Sequence, residues 1–171
     1  MKKIYLAGPE VFRKDAIKTG KKLVKKCKKH GFKGLYPLDN VIKASSKKEL
    51  SREIFIANRK MIEKADFVIA NINPFRGYEP DSGTVWEIGY ALGLGKKVYG
   101  YIESPEIDYL NRIDSTDKYS LEGELEGSFE DLNGMLIEDF DNPVNLMISE
   151  SITICDSFKA CLKQLKKDLK D

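Results

Sequence analysis

Residues 65–100 read ADFVIANINPFRGYEPDSGTVWEIGYALGLGKKVYG, and this stretch decides the fold. Its first eight residues form a nearly continuous apolar run, which is typical of a strand buried on both faces of a sheet. A loop containing Pro and Gly follows, and residues 82–94 then show a helical pattern that ends at Gly95. The apolar residues 97–102 predict the next strand. A strand, a helix and a strand in this order predict a parallel βαβ unit.

The rest of the chain repeats this alternation. We predict further strands at residues 2–7, 32–36 and 152–155, and further helices at residues 15–30, 47–64, 143–149 and 158–169. The expected fold is therefore α/β, with one domain over residues 1–171. About five parallel strands would carry helices on both faces, as in flavodoxin-like or Rossmann-like folds. Ligands of such sheets bind beyond the carboxyl ends of the strands.

Residues 103–141 differ in composition from the rest of the chain. They contain thirteen acidic and only two basic residues. The span shows no clear strand or helix periodicity, and its length is unusual for a loop within a domain. We predict an irregular acidic insertion or lid within the single domain.

Composition excludes several classes of protein. The 171 residues are 42% hydrophobic and 33% charged, which is typical of a globular domain. The net charge of +2 indicates no general affinity for nucleic acid. No apolar run approaches the roughly 20 residues of a membrane helix, and the apolar stretch near the N-terminus is too short for a signal peptide. We expect a cytoplasmic protein with neither a nucleic-acid nor a membrane partner.

The residues that usually hold metals and cofactors are scarce. The sole histidine, His30, ends a lysine-rich helix, and the cysteines Cys27, Cys155 and Cys161 lack metal-site spacing. Neither a Walker pattern nor G-x-G-x-x-G occurs. We therefore expect no metal and no cofactor, and chemistry that depends on carboxylates, Tyr or Asn.

Two carboxylates, Asp81 and Glu87, flank the start of the predicted helix at residues 82–94. Asp81 or Ser82 would cap that helix, and its N-terminus would favour the ionised form of Glu87. Glycines beside them, Gly83 included, would allow close approach of a ligand. Such a pair suits attack on a sugar by one carboxylate and proton transfer by the other. Asp at an N-cap and Glu in the first turns are also ordinary helix features, so residue types alone leave a structural interpretation open.

The same stretch resembles the nucleoside 2-deoxyribosyltransferase family. That family's mark is an Asp, then Gly-Thr or a similar pair, then a Glu followed by Ile-Gly or Leu-Gly, and a helix of small residues ending in Gly-Lys. Three further segments resemble the family's motifs in the same order: KIYLAG at residues 3–8, YPLDN at 36–40 and NPVNLM at 142–147. The resemblance covers nearly the whole chain apart from the acidic span.

The resemblance implies a pentosyltransferase of nucleotide salvage that exchanges the base of a 2′-deoxynucleoside for a free nucleobase. In that scheme Glu87 attacks C1′ and forms a covalent glycosyl-enzyme, and two inversions give retention. Asp81 would contact the base and shuttle its proton. Tyr5 would hydrogen-bond Glu87 and hold it in place.

The resemblance also implies substrate-binding residues. The family's sugar-binding Asp in the second helix falls on Asn58 here, which keeps hydrogen bonding but removes a charge. Asn145 would meet the sugar 5′-hydroxyl in a neighbouring subunit's site, and Met147 would reach the same site. This sharing implies a homo-oligomer, with a dimer as the minimum.

Two more candidates have alternative interpretations. Arg76 would contact a base or a phosphate, or only brace its loop. Asp39 would contact the sugar, or only make an Asx turn.

The function also has alternatives. The first is an N-glycoside hydrolase that acts on nucleosides, deoxynucleosides or nucleoside 5′-monophosphates through the same intermediate. A phosphate-taking hydrolase should show Ser or Arg donors near the 5′ position, whereas Asn145 with Met147 fits a free hydroxyl. The second is a non-catalytic nucleotide sensor on this scaffold.

Overall fold

The predicted strands and helices are present, and their boundaries differ from the expectation by at most two residues, except at one helix. The helix predicted at residues 143–149 begins only at Leu146, where Asn145 caps it. The structure is a computed structural model and describes residues 1–39, 42 and 44–170. In chain order the elements are β1 Lys3–Ala7, α1 Ala16–Lys29, β2 Lys33–Leu35, α2 Lys47–Lys64, β3 Phe67–Asn71, α3 Ser82–Gly93, β4 Lys97–Tyr101, α4 Tyr109–Arg112, β5 Lys118–Ser120, β6 Phe129–Asp131, α5 Leu146–Ser149, β7 Thr153–Cys155 and α6 Phe158–Asp168. Among the described residues, no helix has both the length and the apolar character that crossing a membrane requires.

Five strands form one parallel sheet in the order β2-β1-β3-β4-β7, which confirms the predicted fold class. The chain leaves β1 toward β2 on one side and returns to β3 on the other. Neighbouring loops therefore diverge at the carboxyl ends of β1 and β3, where an open α/β sheet has its ligand crevice. The register sets Tyr5 of β1 opposite Val68 of β3.

Side chains of the central strands alternate between two cores. Tyr5 packs on one face with Ile62 of α2 and Ile88 of α3. Its neighbour Ile4 packs on the other face, which Leu162 of α6 also covers. Because both faces are buried, the central strands are apolar throughout, as the sequence indicated. The alternation also points Tyr5 toward the layer that contains α3.

Residues 103–141, which we call the acidic arm, are more regular than predicted. They contain α4 and an antiparallel hairpin of β5 and β6. Gly123 and Gly127 have φ of 75° and 89° between the two strands, a conformation that favours glycine. Each strand has three residues, and none of these residues is fully buried. Such a hairpin lacks the alternation of apolar and polar residues by which a strand is predicted.

The acidic arm is held against the loop that leads into α3. The Tyr78 hydroxyl donates to Asp117 Oδ2 at 2.6 Å, and the backbone N–H of Glu103 donates to Asn73 Oδ1 at 2.9 Å. The arm therefore lies beside the carboxyl edge of the sheet.

Candidate active site

Glu87 and Tyr5 are joined by a short hydrogen bond. The Tyr5 hydroxyl donates to Glu87 Oε1 at 2.5 Å. Tyr5 is fully buried within β1, between β2 and β3, so the sheet fixes the position of its ring. Glu87 lies on α3, which packs on the same face of the sheet. The carboxylate is therefore held at one oxygen by a rigid donor.

The environment of Glu87 favours its protonated form. Burial raises the pKa of Glu87 to about 7, the hydrogen bond from Tyr5 opposes this rise, and the charge of Asp81 adds to it. Burial and the charge of Glu87 raise the pKa of Tyr5, so the phenol stays protonated and remains a donor. We expected the start of α3 to favour ionised Glu87, but burial outweighs that effect. Perturbed carboxylates in clefts are frequent at functional sites.

Asp81 is the N-cap of α3. Its Oδ2 accepts hydrogen bonds from the backbone N–H and the hydroxyl of Thr84, each at 2.9 Å. Thr84 is a buried polar residue, so these bonds satisfy groups that water cannot reach. Oδ1 has no hydrogen-bond partner among the described residues. One oxygen of Asp81 therefore caps the helix, and the other remains available to a ligand.

Asp81 and Glu87 line one cavity of about 500 Å³, within the usual range for small-molecule sites. A larger depression of about 760 Å³ runs along lysine-rich α1, but neither carboxylate lines it. The Glu87 cavity has an apolar wall and few polar groups, and its lining residues are Gly8, Val11, Phe12, Pro37, Leu38, Ile42, Leu50, Ile54, Asn58, Asp81, Gly83, Thr84 and Glu87. This composition suits a flat ring joined to a hydroxylated group.

Two predicted binding residues also line this cavity. Asn58 reaches it from α2, and Gly83 lies at the start of α3. A Cβ at Gly83 would lie 3.2 Å from Asp81 Oδ2, so a side chain there would crowd that carboxylate.

Arg76 and Asp39 do not line the cavity. The Arg76 guanidinium lies over the rings of Phe75 and Phe12, 4.6 and 5.2 Å from their centroids. Asp39 Oδ2 accepts from the backbone N–H of Tyr36 at 3.0 Å. The Arg76 contacts fit the loop-bracing alternative. The Asp39 bond is also local, but it reaches the backbone three residues earlier and is not the Asx turn that was the alternative. Arg76 still borders the site, because Phe12 is part of the cavity wall. Asn40, the last residue of the YPLDN motif, lies outside the described residues.

Asn145 and Met147 lie apart from the Glu87 cavity of their own chain. Asn145 caps α5, where its Oδ1 accepts from the backbone N–H of Met147 at 3.0 Å. The Met147 side chain is exposed. Asn145 lines a second cavity, of about 430 Å³, beside the acidic arm. Met147 is thus exposed, whereas Asn145 is partly buried beside the acidic arm, and neither lines the Glu87 cavity of its own chain.

The apolar lining on α2 escaped the sequence analysis. Leu50 and Ile54 line the cavity together with Asn58, and the three are spaced four residues apart. This spacing places the three side chains on one face of the helix. It was the sequence signal that could have added Leu50 and Ile54 to the site predicted around Asn58. Val11 and Phe12 gave no such signal, because they belong to a short turn after β1.

Comparison with known proteins supports the fold and shows the family. The family model for nucleoside 2-deoxyribosyltransferase matches residues 4–147. An uncharacterized protein of Schizosaccharomyces pombe is 30% identical over 169 residues, which cover 92% of this chain and 80% of that protein. The structure of a 2-desoxiribosyltransferase from Leishmania mexicana is 28% identical, with a TM-score of 0.74 and 98% of each chain covered. A 2-deoxyribosyltransferase from Bacillus psychrosaccharolyticus shares the fold, with 24% identity, a TM-score of 0.54 and coverage of 91% of this chain and 87% of that one. The chain therefore belongs to the nucleoside 2-deoxyribosyltransferase family, as its motifs indicated.

Proposed function

We propose that this protein is a nucleoside 2-deoxyribosyltransferase that exchanges the base of a 2′-deoxynucleoside through a covalent glycosyl-Glu87 intermediate. The observation that carries this proposal is the position of Glu87. It lies in the wall of a largely apolar cavity and is held by Tyr5 at 2.5 Å, in a chain that belongs to this family.

In the first step a Glu87 oxygen forms a bond to C1′ of the sugar, and the bond from C1′ to the base breaks. Tyr5 occupies Oε1, which leaves Oε2 as the attacking atom. The electron pair of the broken bond stays with the base, and Asp81 supplies the proton that neutralises it. The configuration at C1′ is inverted once.

In the second step the incoming base attacks C1′ and displaces Glu87, which inverts the configuration again. Asp81 accepts the proton that this base releases. Two inversions give overall retention. The apolar side chains of Leu50, Ile54 and Phe12 in the cavity wall favour a flat base over water as the acceptor.

The test separates transfer from hydrolysis. The protein is incubated with a 2′-deoxynucleoside and a second free base, over adenine, hypoxanthine, cytosine and thymine as donors and acceptors. Transferase activity gives the new nucleoside well above the yield of free sugar. Release of free sugar regardless of the acceptor would favour the N-glycoside hydrolase, and the absence of both reactions would favour a nucleotide sensor.

Substitutions of Asp81 separate its two roles. We expect Asp81→Asn to keep the helix cap, because an amide oxygen still accepts from Thr84, and to lose base exchange, because an amide does not shuttle the proton. Asp81→Ala should lose both the helix cap and base exchange. Loss of the cap should lower the folding stability by about 1 kcal/mol. Thermal denaturation and the exchange assay measure the two effects. Near-normal exchange by Asp81→Asn would contradict the proton-shuttle role.

We also propose a homo-oligomer, at least a dimer, in which Asn145 of the partner subunit completes each site. Asn145 does not line the Glu87 cavity of its own chain, and large apolar side chains remain on the surface. Trp86 is 45% exposed beside Glu87 and stacks on Tyr90, with 5.1 Å between ring centroids. Tyr90 is partly buried, so the exposed aromatic surface here is that of Trp86, and exposed large aromatic side chains are enriched at interfaces.

Mixing two inactive variants tests the shared site. Glu87→Gln and Asn145→Ala should each show little exchange alone. A mixed dimer would contain one site with Glu87 from one chain and Asn145 from the other, so activity should reappear on mixing and reassembly. Light scattering measures the oligomeric state in parallel. Failure of mixed, demonstrably associated chains to regain exchange would contradict the shared site.

A further inference from the structure

The acidic arm holds Asn145 through one residue, Glu138. Glu138 Oε1 accepts from Asn145 Nδ2 at 2.6 Å, and Glu138 Oε2 accepts from the backbone N–H of Leu146 at 2.8 Å. Both carboxylate oxygens are thus used at the start of α5, and both Glu138 and Asn145 are partly buried. Hydrogen bonds to a charged group are shorter and stronger than neutral ones.

These contacts decide how Asn145 presents its amide. Its Oδ1 accepts from the Met147 backbone N–H, and one Nδ2 proton is used by Glu138. A carboxamide has two N–H donors on its nitrogen, so one N–H remains free. Asn145 is therefore fixed as a donor, next to a negative charge.

The surroundings of this amide are acidic. Four carboxylates line the second cavity, namely Glu79, Asp117, Asp131 and Glu138. Within the described part of the chain, no lysine or arginine lines it. An anion in this cavity would meet like charges and no counter-charge.

We propose that Glu138 is a positioning and specificity-determining residue, which orients Asn145 toward a free 5′-hydroxyl and rejects nucleosides that carry a 5′-phosphate. This inference rests on the proposed function, in which Asn145 of the partner subunit meets the 5′ end of the sugar. A hydroxyl accepts the free N–H of Asn145 and is neutral beside Glu138. A 5′-phosphate is disfavoured, because its negative charge would lie within a few ångströms of the Glu138 carboxylate and the two charges would repel.

Binding measurements test this selectivity without turnover. All proteins carry Glu87→Gln, and the ligands are 2′-deoxyadenosine, 2′-deoxyinosine, 2′-deoxycytidine, thymidine and the 5′-monophosphate of each. Glu138→Gln removes the charge and keeps the size of the side chain. Glu124→Gln is the matched control, because it makes the same charge change at an exposed position of the acidic arm. Calorimetry gives the ratio of the two Kd values for each pair of ligands.

We expect Glu138→Gln to shift the Kd ratio toward the 5′-monophosphate by roughly tenfold or more. It should also weaken binding of the nucleoside, since a glutamine oxygen replaces only one of the two acceptors. The ratio for Glu124→Gln should stay within about twofold of the parent. If Glu138 had only a structural role, its substitution would weaken binding of the nucleoside and of the 5′-monophosphate equally. An unchanged ratio of the two Kd values would therefore overturn the proposal.

Failure of the proposed function would appear separately. Base exchange is measured with the chain that retains Glu87. A shifted Kd ratio without base exchange would support Glu138 as the selector while contradicting the transferase. Base exchange with an unchanged Kd ratio would support the transferase and contradict the role of Glu138 as the selector.

Discussion

Base exchange by Glu87→Gln and Glu87→Ala is expected to fall by roughly 10⁴-fold or more, because neither side chain forms the glycosyl ester. Glu53→Gln, an exposed carboxylate on neighbouring α2, is the matched control and should keep wild-type rates. Mass spectrometry of wild-type protein quenched with a deoxynucleoside should find the deoxyribosyl group on the peptide that contains Glu87. Near-normal turnover in both Glu87 variants would exclude this residue as the nucleophile.

The pKa of Glu87 provides a check that the variants are folded. Its folded pKa of about 7 lies above the ordinary value of 4.5, so the fold favours the protonated side chain. The stability from this preference is fully present below pH 4.5 and is lost as the pH rises through 7. The Gln side chain of Glu87→Gln is neutral at every pH. The free energy of unfolding of this variant should therefore exceed that of the wild type by up to about 3 kcal/mol at pH 8, but not at pH 4. Thermal denaturation at both pH values measures this difference. A variant that is less stable than the wild type at pH 8 would contradict the assigned burial.

Tyr5→Phe is expected to lower kcat by roughly 10- to 100-fold, the value of a hydrogen bond to a charged group. The substitution keeps the buried ring and removes only the donor. Because the hydrogen bond from Tyr5 lowers the pKa of Glu87, its loss should move that pKa further above 7. The acid limb of kcat/KM against pH should shift upward accordingly, so the loss of activity is greater at pH 6 than at pH 8.5.

Tyr101→Phe is the matched control for this shift. The Tyr101 hydroxyl donates to Glu10 Oε1 at 2.6 Å, a similar tyrosine–glutamate bond at the same sheet but without Glu87. Tyr101→Phe should lose stability and leave the pH profile unchanged. If both variants shifted the acid limb equally, or if neither did, Tyr5 would not be the residue that orients Glu87.

The sequence predicted most of the fold because its signals are local. The apolar run at residues 65–72 indicated a strand buried on both faces, and β3 is such a strand. The helix predicted at residues 47–64 has those same bounds. The hairpin of the acidic arm was missed, because its short strands are held by backbone pairing and by glycine turns rather than by a buried apolar face.

Prediction of the candidate site depended on the family motifs, because its parts lie far apart in the chain. Tyr5 and Glu87 are 82 residues apart and meet only because β1 and α3 are neighbours in the fold. The motifs predicted both as site residues, but they carried no information on Leu50 and Ile54, which complete the cavity wall.

By itself the sequence therefore determined the order of strands and helices and the family, and it predicted the candidate pair Asp81 and Glu87. These inferences follow from local periodicity, capping residues and motif spacing. The tertiary structure decided the protonation preference of Glu87, which reverses the expectation from the helix terminus. It also decided the contact of Glu138 with Asn145. The physical reason is the same in both cases. Burial and the approach of charged groups depend on which layers of the fold pack together. No local pattern of residues encodes the distance between groups that lie far apart in the chain.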